Sequence, residues 1–167
     1  MPSIFIYALS RIILAAMPKA RFPNLNRIVL KMAGAKIGKR AKIYSNIRLA
    51  RTVKLVVGND SFVGERTTFT GGVGSSVTIG EMCDISDNVH FFTGTHLIDT
   101  TSSRTAGEGY SADILVGSGV WIGYGSLILP GVTIGDKSLV AAGTVVHKSV
   151  PSRTIVGGNP MNVIRKI

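Results

Sequence analysis

The sequence predicts an all-β solenoid, in which short parallel strands wind into a triangular prism of about five coils. Three observations predict it: aliphatic residues recur every six positions from Val116 to Pro151, the same period extends back to Ile37, and every interruption follows a whole number of hexad trios. A six-residue period matches neither an amphipathic helix nor an alternating strand. Repeats of this kind are typical of solenoids, in which each short strand ends in a turn.

Residues 1–34 precede the repeat and read as two helices. Residues 4–17 are mostly apolar and predict the first, and Pro18 and Pro23 break the pattern. Asn24 is expected to cap a second helix over 25–33, and Gly34 is expected to stop it. The apolar residues of that helix share one face: Leu25, Ile28, Val29 and Met32. Two readings stay open and are compatible, since these helices could lie on a membrane surface or cover the open end of the solenoid.

Residues 35–167 form the repeat domain. The first nine hexads form three trios, marked by Ile37, Ile43 and Leu49, by Val57, Val63 and Phe69, and by Ile79, Ile85 and Phe91. Three hexads make one turn of a triangular prism, so all the insertions must leave from the same edge. Cys83 falls on an inward position and is expected to be core.

The longest insertion, residues 97–115, breaks the period and is rich in Gly, Ser and Thr. We expect a polar loop that protrudes from the scaffold, which is where binding residues commonly lie.

The C-terminal stretch carries the clearest period. Two sets of residues are predicted to point inward: Val116, Ile122, Ile128, Ile134, Val140 and Val146, and, four places later, Val120, Ser126, Val132, Ser138, Thr144 and Val150. A tail of residues 152–167 follows.

Charge is distributed unevenly along the chain. The first 54 residues contain twelve Lys and Arg and no acidic residue, whereas the remainder carries a net charge of −2, for +10 in all. This asymmetry suggests an anionic neighbour such as a membrane surface. Nucleic acid is not expected, because only two tyrosines accompany the basic residues.

The apolar run in residues 4–17 is too short to cross a bilayer and does not resemble a signal peptide. The single cysteine fits a reducing compartment. We therefore expect a cytoplasmic protein, with a peripheral position at the inner membrane left open.

His96 is the candidate for catalysis, because it stands where the long insertion leaves the prism. Histidine is the side chain whose ordinary pKa suits a general base near neutral pH. His90 and His147 are expected on exposed faces, and their spacing predicts no metal site. Trp121 should point outward, either as a contact surface for a ligand or subunit or as a cover for its own coil.

Three motifs resemble the hexapeptide-repeat acyltransferases: Val120-Trp121-Ile122-Gly123, the run from Leu129 to Gly135, and Gly158-Asn159-Pro160 with Val163-Ile164-Arg165. The sequence is most similar to the sugar O-acetyltransferase branch, which includes maltose and galactoside acetyltransferases and polysaccharide acetyltransferases. The resemblance covers residues 35–167. It implies a left-handed parallel β-helix, a homotrimer with sites between subunits, and acetyl-CoA as acyl donor.

The resemblance also implies roles for particular residues. His96 matches the catalytic base and Trp121 the residue beside the pantetheine arm. Backbone groups at Tyr124 and Ala142 would hold that arm, and an amide at Gly123 or Tyr124 would stabilise the oxyanion. Lys148 and Arg165 match residues that meet the nucleotide phosphates.

The acceptor implied by the resemblance is a sugar hydroxyl of a bacterial surface polysaccharide or its precursor. An acidic residue, Asp99, Glu108 or Asp113, would orient His96. The acceptor-site Asn of the galactoside branch has no counterpart in residues 67–70, and Tyr124 stands where relatives have Ser or Ala. Two other classes remain open: a zinc enzyme like the γ-type carbonic anhydrases, and a non-catalytic β-helix scaffold.

Overall fold

A computed structural model describes residues 3–16 and 22–167; the predicted helix end at Met17, the predicted break at Pro18, and Lys19 and Arg21 lie outside these ranges. The described residues contain two helices, α1 (Ile4–Ala16) and α2 (Pro23–Met32). The strands of the first three coils are β1 (Lys36–Ile37), β2 (Lys42–Ile43), β3 (Arg48–Leu49), β4 (Lys54–Val57), β5 (Phe62–Val63), β6 (Thr68–Thr70), β7 (Ser76–Ile79), β8 (Asp84–Ile85) and β9 (His90–Phe92). The strands that follow are β10 (Gly94–Ile98), β11 (Ala106–Ser111), β12 (Ile114–Val116), β13 (Trp121–Ile122), β14 (Leu127–Ile128), β15 (Thr133–Ile134), β16 (Leu139–Val140), β17 (Val145–Val146), β18 (Thr154–Gly157) and β19 (Asn162–Lys166).

The strands stack in parallel on three faces, as the six-residue period predicts. The first face is β1-β4-β7-β12-β15, the second is β2-β5-β8-β13-β16-β18, and the third is β3-β6-β9-β14-β17. Strand β19 pairs antiparallel with β18 beyond the fifth coil. Each coil therefore adds one strand to each face, and the five coils expected from the sequence are confirmed.

The predicted inward residues form the core. Side chains such as Ile85, Ile122, Ile134 and Val140 are fully buried, and each buried aliphatic side chain contributes about 1.5–3 kcal/mol to folding. Phe69 and Phe91 stack in neighbouring coils with ring centroids 5.0 Å apart. Cys83 is buried as expected, and desolvation raises the pKa of its thiol.

Polar residues on the inward set are satisfied by backbone carbonyls of their own turn and of the adjacent coil. The Ser126 hydroxyl lies 2.9 Å from the Gly123 carbonyl and 3.1 Å from the Ala141 carbonyl. Such hydroxyls remain buried at little cost because they are hydrogen-bonded.

All insertions leave from the corner between the third and first faces, which confirms the prediction of a single edge. The longest is a β-hairpin of β10 and β11, with Thr95 paired to Tyr110, and not a structureless loop. It begins three residues earlier than the predicted 97–115 boundary, and the coil resumes at Ile114. Its turn is closed by Asp99, whose Oδ1 accepts hydrogen bonds from the Thr101 amide and hydroxyl and the Ser102 amide.

The second helix covers the first coil and contributes to its core. Val29 and Leu30 are buried, and the Asn26 Nδ2 donates to the Ile43 carbonyl at 3.1 Å. The prediction that Asn24 caps this helix is wrong. The helix begins at Pro23, because proline at the first helical position has the required φ and needs no hydrogen bond for its missing N–H.

The buried face of α2 is not the apolar face that the sequence marks. The buried face consists of Asn26, Val29 and Leu30, whereas Leu25, Ile28 and Met32 are exposed. The buried face is therefore rotated by about one residue relative to the apolar face, and it includes the polar Asn26. Gly34 ends the helix as expected, with φ +95° and its amide bonded to the Lys31 carbonyl.

The first helix packs along the side of the prism. The Tyr7 hydroxyl donates to the Leu49 carbonyl at 2.7 Å, and Leu14 is buried. Its opposite face leaves Phe5 and Ile12 82% and 66% exposed. Neither helix among the described residues is long and apolar enough to cross a membrane.

Candidate active site

His96 lies on β10 at the root of the hairpin, as the sequence predicts, and its side chain is exposed. It lines an open cleft of about 660 Å³ at the corner between the third and first faces. The other lining residues come from the second coil, the end of the third and the hairpin: Gly71, Gly72, Val73, Phe92, Gly94, Thr95, Gly109, Tyr110 and Ser111. The glycines keep the floor free of side chains, so a ligand could approach the imidazole directly.

The imidazole of His96 is oriented by the opposite strand of the hairpin. Its Nδ1 lies 2.9 Å from the Gly107 carbonyl oxygen. A carbonyl only accepts hydrogen bonds, so Nδ1 carries the hydrogen and Nε2 has the free lone pair. Gly109 faces the ring, where an added Cβ would lie 3.5 Å from Cε1. The arrangement presents Nε2 as a proton acceptor.

No acidic side chain orients His96 within the described residues, so the expectation of Asp99, Glu108 or Asp113 in that role is wrong. Asp99 closes the hairpin turn, and hydrogen bonds from Ser102 and Thr101 hold the pKa of its carboxyl well below the ordinary value. Asp113 accepts a hydrogen bond from the Ser76 amide. The Gly107 carbonyl orients the imidazole in place of the expected carboxylate. The sequence could not identify it, because every residue has a backbone carbonyl.

Trp121 points outward on the second face, as predicted, and is 53% exposed. It pairs with Asp84 on one side and Leu139 on the other. Gly123 and Tyr124 follow it at the corner between the second and third faces.

The backbone at this corner explains the glycine. A Cβ on Gly123 would lie 2.6 Å from the Ala142 nitrogen of the next coil, so the stacking leaves no room for a side chain. The Gly123 amide donates to the Val140 carbonyl at 2.8 Å and is not available to a ligand. The amides of Tyr124 and Ala142 make no hydrogen bond with any other part of the chain in the described ranges. The two free amides are thus one coil apart on an exposed corner.

The Tyr124 ring is exposed, and its hydroxyl accepts a hydrogen bond from the Asn88 Nδ2 at 2.6 Å. Lys148 and Arg165 are exposed, Lys148 following β17 in the fifth coil and Arg165 lying on β19. His90 and His147 are exposed, as expected. Within the described ranges no three metal-ligating side chains cluster.

A single chain does not bring the predicted site residues together. His96 and Lys148 lie on the corner between the third and first faces, whereas Tyr124 and Ala142 lie on the corner between the second and third. The two groups are separated by the width of the third face.

Comparisons with known proteins agree with this architecture. Residues 113–148 match the family model described as bacterial transferase hexapeptide (six repeats). The chain is 34% identical over 139 residues to the "Putative colanic acid biosynthesis acetyltransferase WcaF" of Escherichia coli K12, covering 83% of this chain and 72% of that protein. It also matches two fungal proteins at 44% and 42% identity, but spans only 47% and 44% of their lengths.

Solved structures show the same fold. A maltose O-acetyltransferase from Clostridium difficile 630 has a TM-score of 0.79 and 28% identity, over 98% of this chain and 84% of that one. A hexapeptide-repeat acetyltransferase from Vibrio cholerae, complexed with acetyl-CoA, has a TM-score of 0.80 and 25% identity, over 97% and 85%. The prism is therefore the left-handed parallel β-helix that the resemblance implies, and the chain belongs to the hexapeptide-repeat acetyltransferase family.

Proposed function

We propose that the protein is an acetyl-CoA-dependent O-acetyltransferase that acts on a sugar hydroxyl of a bacterial surface polysaccharide or its precursor. The observation that carries the proposal is the oriented imidazole of His96, which lines an open cleft and whose Nδ1 is bonded to the Gly107 carbonyl. Family membership supports acetyl-CoA as the donor, and the sugar O-acetyltransferases among the similar proteins support a sugar as the acceptor. The name of the WcaF relative associates that protein with a polysaccharide.

The chemistry is a direct transfer. Nε2 of His96 removes the proton from an acceptor hydroxyl, and the oxygen attacks the thioester carbonyl carbon of acetyl-CoA. The C–S bond then breaks, and the thiolate of CoA takes the proton back from the imidazolium. The product is an acetyl ester, and the enzyme returns to its starting state without an acyl-enzyme intermediate.

The donor would lie along the corner between the second and third faces. The Tyr124 and Ala142 amides are free to donate to the pantetheine arm, and Trp121 offers an exposed apolar wall beside them. The Tyr124 N–H is the amide that would stabilise the oxyanion, since the Gly123 N–H is already used. Arg165 would meet the phosphates of the nucleotide, and Lys148, on the same corner as His96, would meet them from the neighbouring subunit. Gly123 acts by letting the coils approach.

The separation of the two corners supports a homotrimer in which each site joins His96 of one subunit to the donor corner of its neighbour. Mixing two inactive variants tests this arrangement. His96→Ala and Trp121→Ala trimers, unfolded and refolded together in equal amounts, should regain about a quarter of wild-type activity if every site is shared between two subunits. The same mixture stays inactive if both residues serve the same site from one chain.

The helical segment, residues 1–34, would hold the enzyme at the cytoplasmic face of the membrane, while residues 35–167 form the acyltransferase domain. Its exposed Phe5 and Ile12 would enter the interface, and each Lys or Arg near an anionic surface adds about 1 kcal/mol of attraction. The coils stack about 4.8 Å apart, so the hairpin leaves the prism about 10 Å from the first coil. The head group of a membrane-bound acceptor would extend far enough from the membrane surface to reach the hairpin.

Vesicle flotation tests the membrane contact. Deleting residues 1–34 would uncover the core beneath Val29 and Leu30, so substitutions on the outer face are preferable. The double variant Phe5→Ser and Ile12→Ser should lose binding to phosphatidylglycerol-rich vesicles. Met82 is an exposed apolar residue at the corner between the first and second faces, away from α1. The variant Met82→Ser is the matched control and should bind the vesicles as wild type does.

Acetyl-CoA consumption against a panel of glycans, with mass spectrometry of the product, tests the activity itself. An acetyl ester on a saccharide that depends on His96 supports the proposal. Failure of the purified protein to bind CoA would contradict it.

A further inference from the structure

A second cavity, of about 450 Å³, lies beside helix α1 on the outer side of the third face. It is lined by residues of the helix and of the first three coils: Arg11, Ala15, Asn46, Ile47, Arg48, Arg66, Thr68, Asn88 and His90. We call it the arginine pocket. It is separate from the cleft that contains His96, with which it shares no lining residue.

The arginine pocket collects positive charge from distant parts of the sequence. Arg48 and His90 flank Thr68 at equivalent outward positions of three successive coils on the third face. Arg66 lies at the neighbouring corner, and Arg11 comes from the helix. No carboxylate lines the pocket, and none of the three arginines forms an ion pair within the part of the chain that the structure describes. Three guanidinium groups around one cavity repel each other unless an anion neutralises them.

The pocket also contains a hydrogen-bonded threonine–histidine pair. Thr68 Oγ1 lies 2.7 Å from His90 Nδ1. When this hydroxyl donates to Nδ1, the hydrogen of the neutral ring is on Nε2, which can donate to a ligand. Guanidinium forks, an imidazole N–H and amide N–H groups together suit the oxygens of a phosphate.

The pocket adjoins the donor corner proposed above. Asn88, which lines the pocket, donates to the Tyr124 hydroxyl at 2.6 Å, and Tyr124 is adjacent to the free amides expected to hold acetyl-CoA. A ligand in the arginine pocket would therefore lie next to the reactive end of the donor. It would also lie beside α1, whose outer face is apolar.

We propose that the arginine pocket binds a phosphate or diphosphate group of the acceptor. This inference rests on the proposed function and names its substrate class: a saccharide attached to phosphate, in place of a neutral sugar. Two sources share that chemistry, a lipid-linked saccharide phosphate and a nucleoside diphosphate sugar.

Calorimetry with inorganic pyrophosphate tests the pocket. The titration is done on the full-length protein saturated with CoA, so that the site for the nucleotide phosphates is occupied. Arg48→Gln and Arg66→Gln should each weaken pyrophosphate binding about tenfold or more, because each removes a charged hydrogen-bond donor. Arg51→Gln, an exposed arginine outside the pocket with the same change of charge, is the control and should bind as wild type. The proposal is overturned if wild type does not bind pyrophosphate, or if both pocket variants bind it as tightly as wild type does.

Two further titrations separate the sources. Binding of UDP-glucose that depends on Arg48 and Arg66 identifies a soluble nucleoside diphosphate sugar. If the protein does not bind UDP-glucose but binds phosphatidylcholine vesicles that carry a polyprenyl phosphate, and this binding depends on Arg48 and Arg66, the acceptor is lipid-linked. Either result supports the pocket, whereas binding of neither probe in an arginine-dependent manner contradicts it.

The variant His96→Ala distinguishes the two proposals. It should bind pyrophosphate as wild type does while it loses acetyl transfer. If wild type transfers no acetyl group but binds pyrophosphate through Arg48 and Arg66, the proposed function fails and the phosphate site stands. If acetyl transfer depends on His96 but pyrophosphate binding does not depend on the arginines, the proposed function stands and the phosphate site fails.

Discussion

Replacing His96 with alanine should separate catalysis from stability. The ring is exposed and makes one hydrogen bond, to the Gly107 carbonyl, so its removal should lower the free energy of unfolding by about 1 kcal/mol at most. Loss of a positioned general base costs about 10²- to 10⁴-fold in turnover. That range corresponds to about 3–5 kcal/mol in activation free energy, several times the effect on folding.

The assay is acetyl-CoA consumption with the best acceptor from a glycan panel, over a range of pH. Turnover by the variant should be about 10²- to 10⁴-fold below that of wild type at every pH at which both proteins are folded. The variant should bind CoA with unchanged affinity by calorimetry. His147→Ala is the control, because His147 is exposed and lies outside the cleft. Turnover by His96→Ala within a few-fold of wild type would refute the assignment.

Three further changes test the scaffold. Phe91→Ala should lower the unfolding free energy by about 3–5 kcal/mol in denaturant titrations, because the ring is fully buried, whereas half-exposed Phe92→Ala should cost less than about 1 kcal/mol. Gly123→Ala should lower the melting temperature and weaken CoA binding, since its Cβ would lie 2.6 Å from the next coil; Gly109→Ala, with 3.5 Å of clearance, should melt as wild type. The pKa of Asp99 is lowered by folding, so the hairpin turn gains stability above the ordinary carboxyl pKa and loses it as the pH falls below that value. The protection of the turn amides, measured as the exchange rate relative to that of an unstructured peptide at the same pH, should therefore fall at acid pH in wild type and not in Asp99→Asn; pH-independent protection in wild type would contradict the inference.

The scaffold was predictable because the same pattern of inward and outward positions recurs every six residues along the chain. The hexads from Ile37 to Val146 assigned inward and outward positions correctly, including buried Cys83 and outward Trp121. The position of His96 at the exit of the insertion followed from counting hexads, without any information about long-range contacts.

The details that failed depend on contacts that a period does not encode. The orientation of His96 by the Gly107 carbonyl requires the pairing of β10 with β11, and every residue has a carbonyl. The buried face of α2 includes Asn26, which donates to the Ile43 carbonyl, and a hydrophobic pattern does not identify a buried polar residue.

The arginine pocket could have been found in part. Arg48, Thr68 and His90 occupy the same outward register in three coils, once the two-residue and four-residue insertions are subtracted. The contribution of Arg11 was not predictable, since nothing in the repeat says where the first helix packs.

The two closures of the prism have a consequence for the assembled state. Helix α2 covers the first coil, and β19 folds back antiparallel on β18 beyond the fifth. A stack of parallel coils without these closures would offer unpaired backbone groups to which another stack could add in register. Variants that detach α2 are therefore expected to polymerise end to end as well as to lose stability, so the helix and the terminal strand limit the length of what would otherwise be an open-ended filament.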